Sequence, residues 1–322
     1  MMKETKQPPC LRLEKAIDRM VRGLAAPLQL ADLADVTHYS PWHLAHRFQS
    51  AYGDSPQAFL WQLRLEVAAS LLQWSPYLPI GQVADLVGFS SPATFSRAFS
   101  RSFGFTPSDL RAGRAVAIGW MANNLGEMSY RPGPSIAGSK IDRVWSWDEV
   151  ESCITLADWP AERMAYQREV GDYGVHLDTL RINFQQQCLQ VGLNADRWFG
   201  LVWSDPATTP AGRRRYDAAV TIPKAFKLPR HLGEYQRPAG RWAVFSHVGE
   251  YADIGPRWRD LMLVWLPFSG WMLDPQRPRV ESYYDGSYDL CLPLLPGRSI
   301  QDRLPEILPE LLKLVTTVVI DK

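Results

Sequence analysis

Phe95, Phe99 and Phe103 recur every four residues, which on a helix stacks them into a single apolar stripe. The residues around them leave few ways to fold. Val83, Ala84, Leu86 and Val87 supply the apolar face of a preceding short helix. Gly88 follows at the point where a helix stops on a left-handed residue. Ser90 or Ser91 then caps the second helix, with Pro92 in its first turn. Gly104-Phe105-Thr106-Pro107 closes the unit, and Pro107 opens another short helix. Residues 80–111 thus predict two helices around a tight turn. Ala93, Thr94, Ser96, Arg97, Ser100 and Arg101 lie on the faces left free by the stripe. They are small or basic, as a helix entering a DNA major groove must be.

The same plan occurs once before. Leu11–Leu24 reads as a helix with Leu13, Ile17, Met20, Val21 and Leu24 on one face, after a disordered leader over residues 1–10. Leu28–Val36 is a second, short helix. Ser40-Pro41 repeats the start signal of Ser91-Pro92, and Leu44, Phe48 and Ala51 are expected to point inward from the helix that follows. Trp42, Ala45, His46 and Gln49 share the opposite face at i, i+3, i+4 and i+7. Tyr52-Gly53-Asp54-Ser55-Pro56 ends this unit as Phe103–Pro107 ends the other, so residues 33–56 and 86–107 form an internal repeat. Between the repeats an apolar-rich helix runs from about 56 to 73, roughly 27 Å at 1.5 Å per residue. A rigid spacer of that length holds two reading helices about one DNA turn apart, ~34 Å.

The features Ile80…Ala84, Val87-Gly88-Phe89, Phe95…Arg97-Ala98-Phe99, Phe103-Gly104 and Thr106-Pro107…Arg111 closely resemble the DNA-binding signature of the AraC/XylS family of bacterial transcription regulators. The resemblance implies tandem helix-turn-helix units sharing a linker helix, over residues 11–113. The DNA-contact candidates are Trp42, Ala45, His46 and Gln49 in the first unit and Ala93, Thr94, Ser96, Arg97 and Arg101 in the second. Arg97 is the candidate for a bidentate contact to guanine, with a phosphate contact or a surface ion pair as alternatives. For Trp42 the alternatives are a thymine methyl contact and packing under the helix. His46 stands where many relatives carry Arg.

Charge supports this weakly. Residues 1–115 carry 12 Lys and Arg against 9 Asp and Glu, while the remainder carries 23 against 25. The four cysteines have neither metal-ligand nor redox spacing, so reduced thiols, no metal and a cytoplasmic location are expected. No apolar run is long enough to span a bilayer.

Residues 114–150 change character. Asn123-Asn124-Leu125-Gly126 and Arg131-Pro132-Gly133-Pro134-Ser135 are loop signals and mark a connector. From 151 the chain reads as strands with two helices, arranged twice. Arg168-Glu-Val-Gly-Asp-Tyr-Gly174 parallels Ser246-His-Val-Gly-Glu-Tyr-Ala252, each ahead of an amphipathic helix. Two such sheet-plus-helix halves are expected to pair and leave a cleft. The fold class is therefore α+β in two domains, all-helical first and a duplicated α+β second.

Those two turns, with Tyr216-Asp217-Ala218-Ala219-Val220, Gly240–Phe245, Trp265-Leu266-Pro267 and Arg279-Val280-Glu281-Ser282-Tyr283, resemble the gyrase-inhibitor-like (GyrI-like) effector-binding domain over residues 151–296. In that family the glutamate of Pro-x-x-Glu-x-Tyr lies deep in a drug-sized aromatic pocket; Pro278, Glu281 and Tyr283 match it. Glu281 and Tyr283 are then effector residues, with Tyr173, Tyr251, Trp203, Trp258 and Trp271 as candidate walls. A carboxylate among aromatics favours an organic cation, while a salt bridge to Arg279 or a nearby arginine is the alternative for Glu281.

Together these imply a non-enzymatic, DNA-binding transcription regulator controlled by a small molecule, with no cofactor and no membrane partner. Its partners are promoter duplex, the effector and, as a candidate, RNA polymerase; monomer and homodimer stay open. The alternatives are a small-molecule hydrolase using Glu281, or a ligand-free protein-contact module. Residues 297–322 carry a wide apolar face at helical spacing, outside both resemblances.

Overall fold

The computed structural model describes residues 11–75, 78–112 and 145–296, apart from 172, 174, 207, 250, 285 and 286. The expected leader, most of the connector and the C-terminal apolar helix lie outside the described residues.

Among the described residues, seven helices form the first domain: α1 (Leu11–Arg22), α2 (Leu30–Thr37), α3 (Pro41–Tyr52), α4 (Pro56–Trp74), α5 (Ile80–Leu86), α6 (Pro92–Phe103) and α7 (Pro107–Arg111). Their ends follow from local chemistry. Ser40, Ser55, Ser91 and Thr106 each accept a hydrogen bond from the backbone N–H three residues on, and a proline follows each. α3 and α6 both stop on a left-handed glycine, Gly53 and Gly104, each at φ 80°. The repeat is thus a repeat of geometry.

Leu44 and Phe48 are fully buried, but Ala51 is exposed, contrary to its expected inward place. The spacing of four continues instead to Tyr52, whose ring lies 4.6 Å from that of Phe48. At Gly88 the chain has φ +82°, and a Cβ there would meet the Leu24 carbonyl oxygen at 2.8 Å. Arg64, in mid-α4, locks this crossing by donating to the carbonyls of Leu24 (2.9 Å), Ala26 (2.8 Å) and Gly88 (3.2 Å). The linker helix is thereby fixed to both the α1–α2 loop and the turn of the second helix-turn-helix.

The second domain comprises α8 (Trp147–Glu151), β1 (Ile154–Trp159), β2 (Glu162–Val170), α9 (Val175–Gln190), β3 (Trp198–Val202), β4 (Arg215–Thr221), β5 (Gly233–Arg237), β6 (Gly240–Val248), α10 (Ile254–Asp260), β7 (Trp271–Leu273), β8 (Arg279–Tyr284) and β9 (Ser287–Pro296). α10 runs on into a π-helical turn, Leu261–Trp265.

Among the described residues the two halves do not keep separate sheets. They share one antiparallel sheet, ordered β1-β6-β9-β8-β3-β4-β2-β5, with β7 paired to β9. The blocks β3-β4-β2 and β6-β9-β8 meet at the β3–β8 pair, and each half lends a strand to the other: β1 pairs with β6, and β5 with β2. Only Pro160-Ala161 separates β1 from β2, and only Pro238-Ala239 separates β5 from β6. Links that reach about 10 Å force the two ends of the sheet together, so the sheet curls. Trp159 of β1 accordingly stacks on Trp242 of β6 at 4.9 Å, with the Arg237 guanidinium 4.8 Å from the Trp159 ring centre.

The domains meet along α1, α4 and the outer face of β2–β4. Arg168 of β2 is ion-paired with Glu14, with Asp18 (3.1 Å) and with Asp217 (2.6 Å). Tyr52 donates to Glu14 at 2.6 Å and Tyr166 to Asp18 at 3.1 Å. Arg213 pairs with Asp54 at 2.8 Å and Glu66 at 3.4 Å, and lies 4.6 Å over the Phe59 ring. Trp203 and Met272 pack into the helical core, and Trp74 packs into the core around β6 and β9.

Candidate nucleic-acid interface and effector cavity

Burial of Leu44 and Phe48 on α3, and of Phe95 and Phe99 on α6, rotates the remaining faces of both helices outward. Trp42 is 76% exposed and stacks on His46 with ring centres 5.7 Å apart, so it does not pack under its helix. His46 and Gln49 are exposed, Ala45 partly so. Gln49 Nε2 donates back to the Gly53 carbonyl. On α6, Ala93, Arg97 and Arg101 are exposed, and Thr94 and Ser96 are half-buried. Thr94 is tied to the cap, its hydroxyl accepting from Ser91 Oγ at 2.9 Å. Neither Arg97 nor Arg101 enters an ion pair among the described residues. The second domain docks on α1 and α4 and leaves these faces uncovered.

Glu281 occupies the centre of β8, 4% exposed. One carboxylate oxygen accepts from the hydroxyls of Tyr216 (3.0 Å) and Tyr283, the other from Trp258 Nε1 at 2.9 Å. Arg181 of α9 donates to both phenol oxygens, Tyr283 at 2.8 Å and Tyr216 at 3.2 Å. A guanidinium therefore sits behind the tyrosines that hold the carboxylate. Burial, then the Glu281 charge, push the Tyr216 phenol well above its ordinary pKa, so it remains a donor. The approach is possible because β3 carries Gly200 directly opposite Glu281; a methyl group there would overlap the Tyr216 hydroxyl.

Glu281 lines a cavity of about 190 Å³. One water needs ~15 Å³ on the same measure, so the space suits an organic molecule. Tyr173, Tyr216, Trp258 and Trp74 supply aromatic surface, Ile254, Met262 and Leu263 aliphatic surface, and Asp205, Arg214, Arg259 and Arg279 the remaining charge, with Arg259 paired to Asp260 at 2.9 Å. The π-helical turn places Met262 and Leu263 at this wall.

The structure thus brings Glu281, Tyr173 and Trp258 together at one cavity, with Tyr283 behind Glu281. The other three expected wall residues lie elsewhere. Trp203 turns its indole N–H to Asp217 at 2.6 Å, packs edge-on to Tyr235 and lines a smaller polar cavity against α4. Its place is set by the buried Asp217 acceptor. Trp271 lies under the Arg241 guanidinium at 5.6 Å, on the short strand β7. Tyr251 is 42% exposed and touches Tyr283 edge-on at 5.3 Å, outside the cavity. The salt bridge to Arg279 considered for Glu281 is not formed; Arg279 instead faces Ser204 and Asp205. Sequence reasoning missed Tyr216, Arg181, Asp205 and Trp74. Tyr216 stood inside a segment singled out for its resemblance, and Gly200 in a strand was a legible sign of close approach; Trp74 carried no local signal.

Residues 33–113 match a helix-turn-helix domain family, and residues 154–293 match the GyrI-like small molecule binding domain family. The RCS-specific HTH-type transcriptional activator RclR of Escherichia coli is 34% identical over 100 residues, 31% of this chain and 35% of that protein. The probable transcriptional regulator YgiV of Escherichia coli is 34% identical over 79 residues, 24% of this chain and 49% of that protein. The chain thus spans between about a third and a half of the length of these relatives. Among solved structures, a transcriptional regulator of Chromobacterium violaceum with an AraC-type DNA-binding domain is 32% identical, covering 34% of this chain and 95% of that one at a TM-score of 0.31. No helix among the described residues is long and apolar enough to cross a membrane.

Proposed function

Since this chain joins an AraC-type helix-turn-helix domain to a GyrI-like small molecule binding domain, we propose that it is a transcription regulator whose hold on promoter DNA is set by an organic molecule in the Glu281 cavity. The observation that carries the DNA half is the exposure of both capped reading helices on a chain whose second domain docks elsewhere. α3 and α6 each enter a major groove, with Arg97 reading base edges and Arg101 meeting phosphate. The effector is a lipophilic aromatic cation. Glu281 supplies the counter-charge, and the faces of Trp258, Tyr173 and Trp74 supply apolar and cation–π contact. The three donors that hold the carboxylate fix its position before the ligand arrives, which lowers the ordering cost of binding.

Tetraphenylphosphonium is a suitable probe, because it is cationic, aromatic and has no hydrogen-bond donor. It should raise the melting temperature of the full chain. Glu281→Gln keeps the acceptor oxygen but not the charge, and should weaken binding at least about tenfold while leaving DNA affinity unchanged. Equal binding by both proteins in titration calorimetry refutes the pocket assignment.

A further inference from the structure

One wall of the Glu281 cavity belongs to the other domain. Trp74 is the last residue of α4, the helix that spans both helix-turn-helix units, and its side chain lines the cavity while being 4% exposed. Its indole N–H donates to Asp205 Oδ2, which also accepts from Ser70 of α4 at 2.9 Å. Asp205, on the loop after β3, itself lines the cavity. It lies 3.8 Å from the Arg279 guanidinium. Arg279 in turn lies 5.9 Å over the ring of Trp258, and Trp258 Nε1 holds Glu281 at 2.9 Å. An unbroken set of contacts therefore runs from the carboxylate to the end of the linker helix, and the cavity opens onto all of its members.

We propose that Trp74 and Asp205 are the positioning pair through which the cavity controls the DNA-binding domain. An occupant touches the linker helix directly, so no relay through the sheet is required. A cation seated between Glu281 and Asp205 draws on the same Asp205 oxygen that accepts from Trp74 and Ser70. Occupied and empty cavities then favour different settings of the α4 end. Arg64 ties α4 to Gly88, at the turn of the second helix-turn-helix, so a changed setting reaches α6. A ligand acts on DNA affinity only as far as it binds the two settings differently, and this pair is where the difference arises. The inference rests on the cavity being a ligand site, as proposed above.

The test measures the affinity of the full chain for a duplex selected from a randomised pool, with and without saturating tetraphenylphosphonium. In the wild type the probe should change DNA affinity about fivefold or more. Trp74→Phe keeps the ring and removes the N–H. Asp205→Ala keeps Trp74 and removes the acceptor. Both residues line the cavity, so both variants should bind the probe more weakly and each is measured at its own saturating concentration; both should bind DNA, but the ratio of affinities with and without saturating probe should fall below about twofold. A merely structural role would lower the melting temperature and leave that ratio unchanged, which overturns the inference. Failure of the wild type to bind the probe removes the ligand-site reading and this inference with it. Binding without loss of coupling in either variant removes the inference alone.

Discussion

Arg168 and Asp18, 150 residues apart in sequence, meet at 3.1 Å with both side chains almost wholly buried at the seam between the domains. Glu14 and Asp217 complete the cluster, so one guanidinium serves three carboxylates. Removing it should be costly. Arg168→Met takes the shared ion-pair partner from three buried carboxylates and should cost about 3–5 kcal/mol, read as a lower urea midpoint at neutral pH. Part of the loss should return at mildly acid pH, because burial already pushes the Asp217 carboxyl up and without Arg168 it takes up a proton more readily. A variant as stable as wild type at neutral pH contradicts this view of the seam.

A second pH effect should come from Glu66, beside Arg213 on the same interface. Burial pushes its carboxyl pKa up, against the opposing pull of Arg213. A folded-state pKa above the unfolded value means that the folded chain binds the extra proton, so this group's contribution to stability grows as pH falls through the folded value toward the unfolded one. The stability gap between wild type and Glu66→Gln should move in favour of the wild type as pH falls from neutral toward the ordinary glutamate range. Movement in the other direction would mean that Arg213 holds the carboxyl below its usual range.

Gly200 admits the Tyr216 hydroxyl to the Glu281 carboxylate. Gly200→Ala should force the phenol aside, at a cost of about 1–3 kcal/mol in stability, and should reduce tetraphenylphosphonium binding in calorimetry. Unchanged binding would show that the Tyr216 contact does not shape the cavity.

On the DNA side the two arginines of α6 should separate by behaviour. Arg97→Ala should cost about 1–3 kcal/mol on a selected duplex and relax preference at one base position. Arg101→Ala should weaken all duplexes alike and lower the salt slope by about one. Anisotropy titrations over a range of salt distinguish the two outcomes.

What the sequence made legible was set by the range of the forces involved. Caps and stops act within four residues, so Ser40-Pro41, Ser91-Pro92, Gly53 and Gly104 announced the helices that the structure contains. The spacing of phenylalanines announced which faces turn inward. The second face of α1 was not legible: Glu14 and Asp18 look like solvated acids until Arg168 arrives from 150 or more residues away. Gly233–Arg237 alternates buried and exposed positions as an edge strand, yet its polar composition hid it. Trp203 and Trp271 share the residue type of a pocket wall, but tertiary partners, Asp217 and Arg241, decide where each ring faces. Trp74 failed to announce itself for the same reason, since its acceptor is on the other domain.

Everything in the functional reading requires that one chain present α3 and α6 to neighbouring major grooves across α4, whose 19 residues span about 28 Å. Hydroxyl-radical footprinting of a selected duplex, at protein concentrations where titration shows one chain per duplex, tests this most directly. The account predicts two protected patches whose centres lie about 10 base pairs apart, with Gln49→Ala disturbing one and Arg97→Ala the other. A single protected patch from one bound chain, or two patches that appear only when two chains bind, would contradict it.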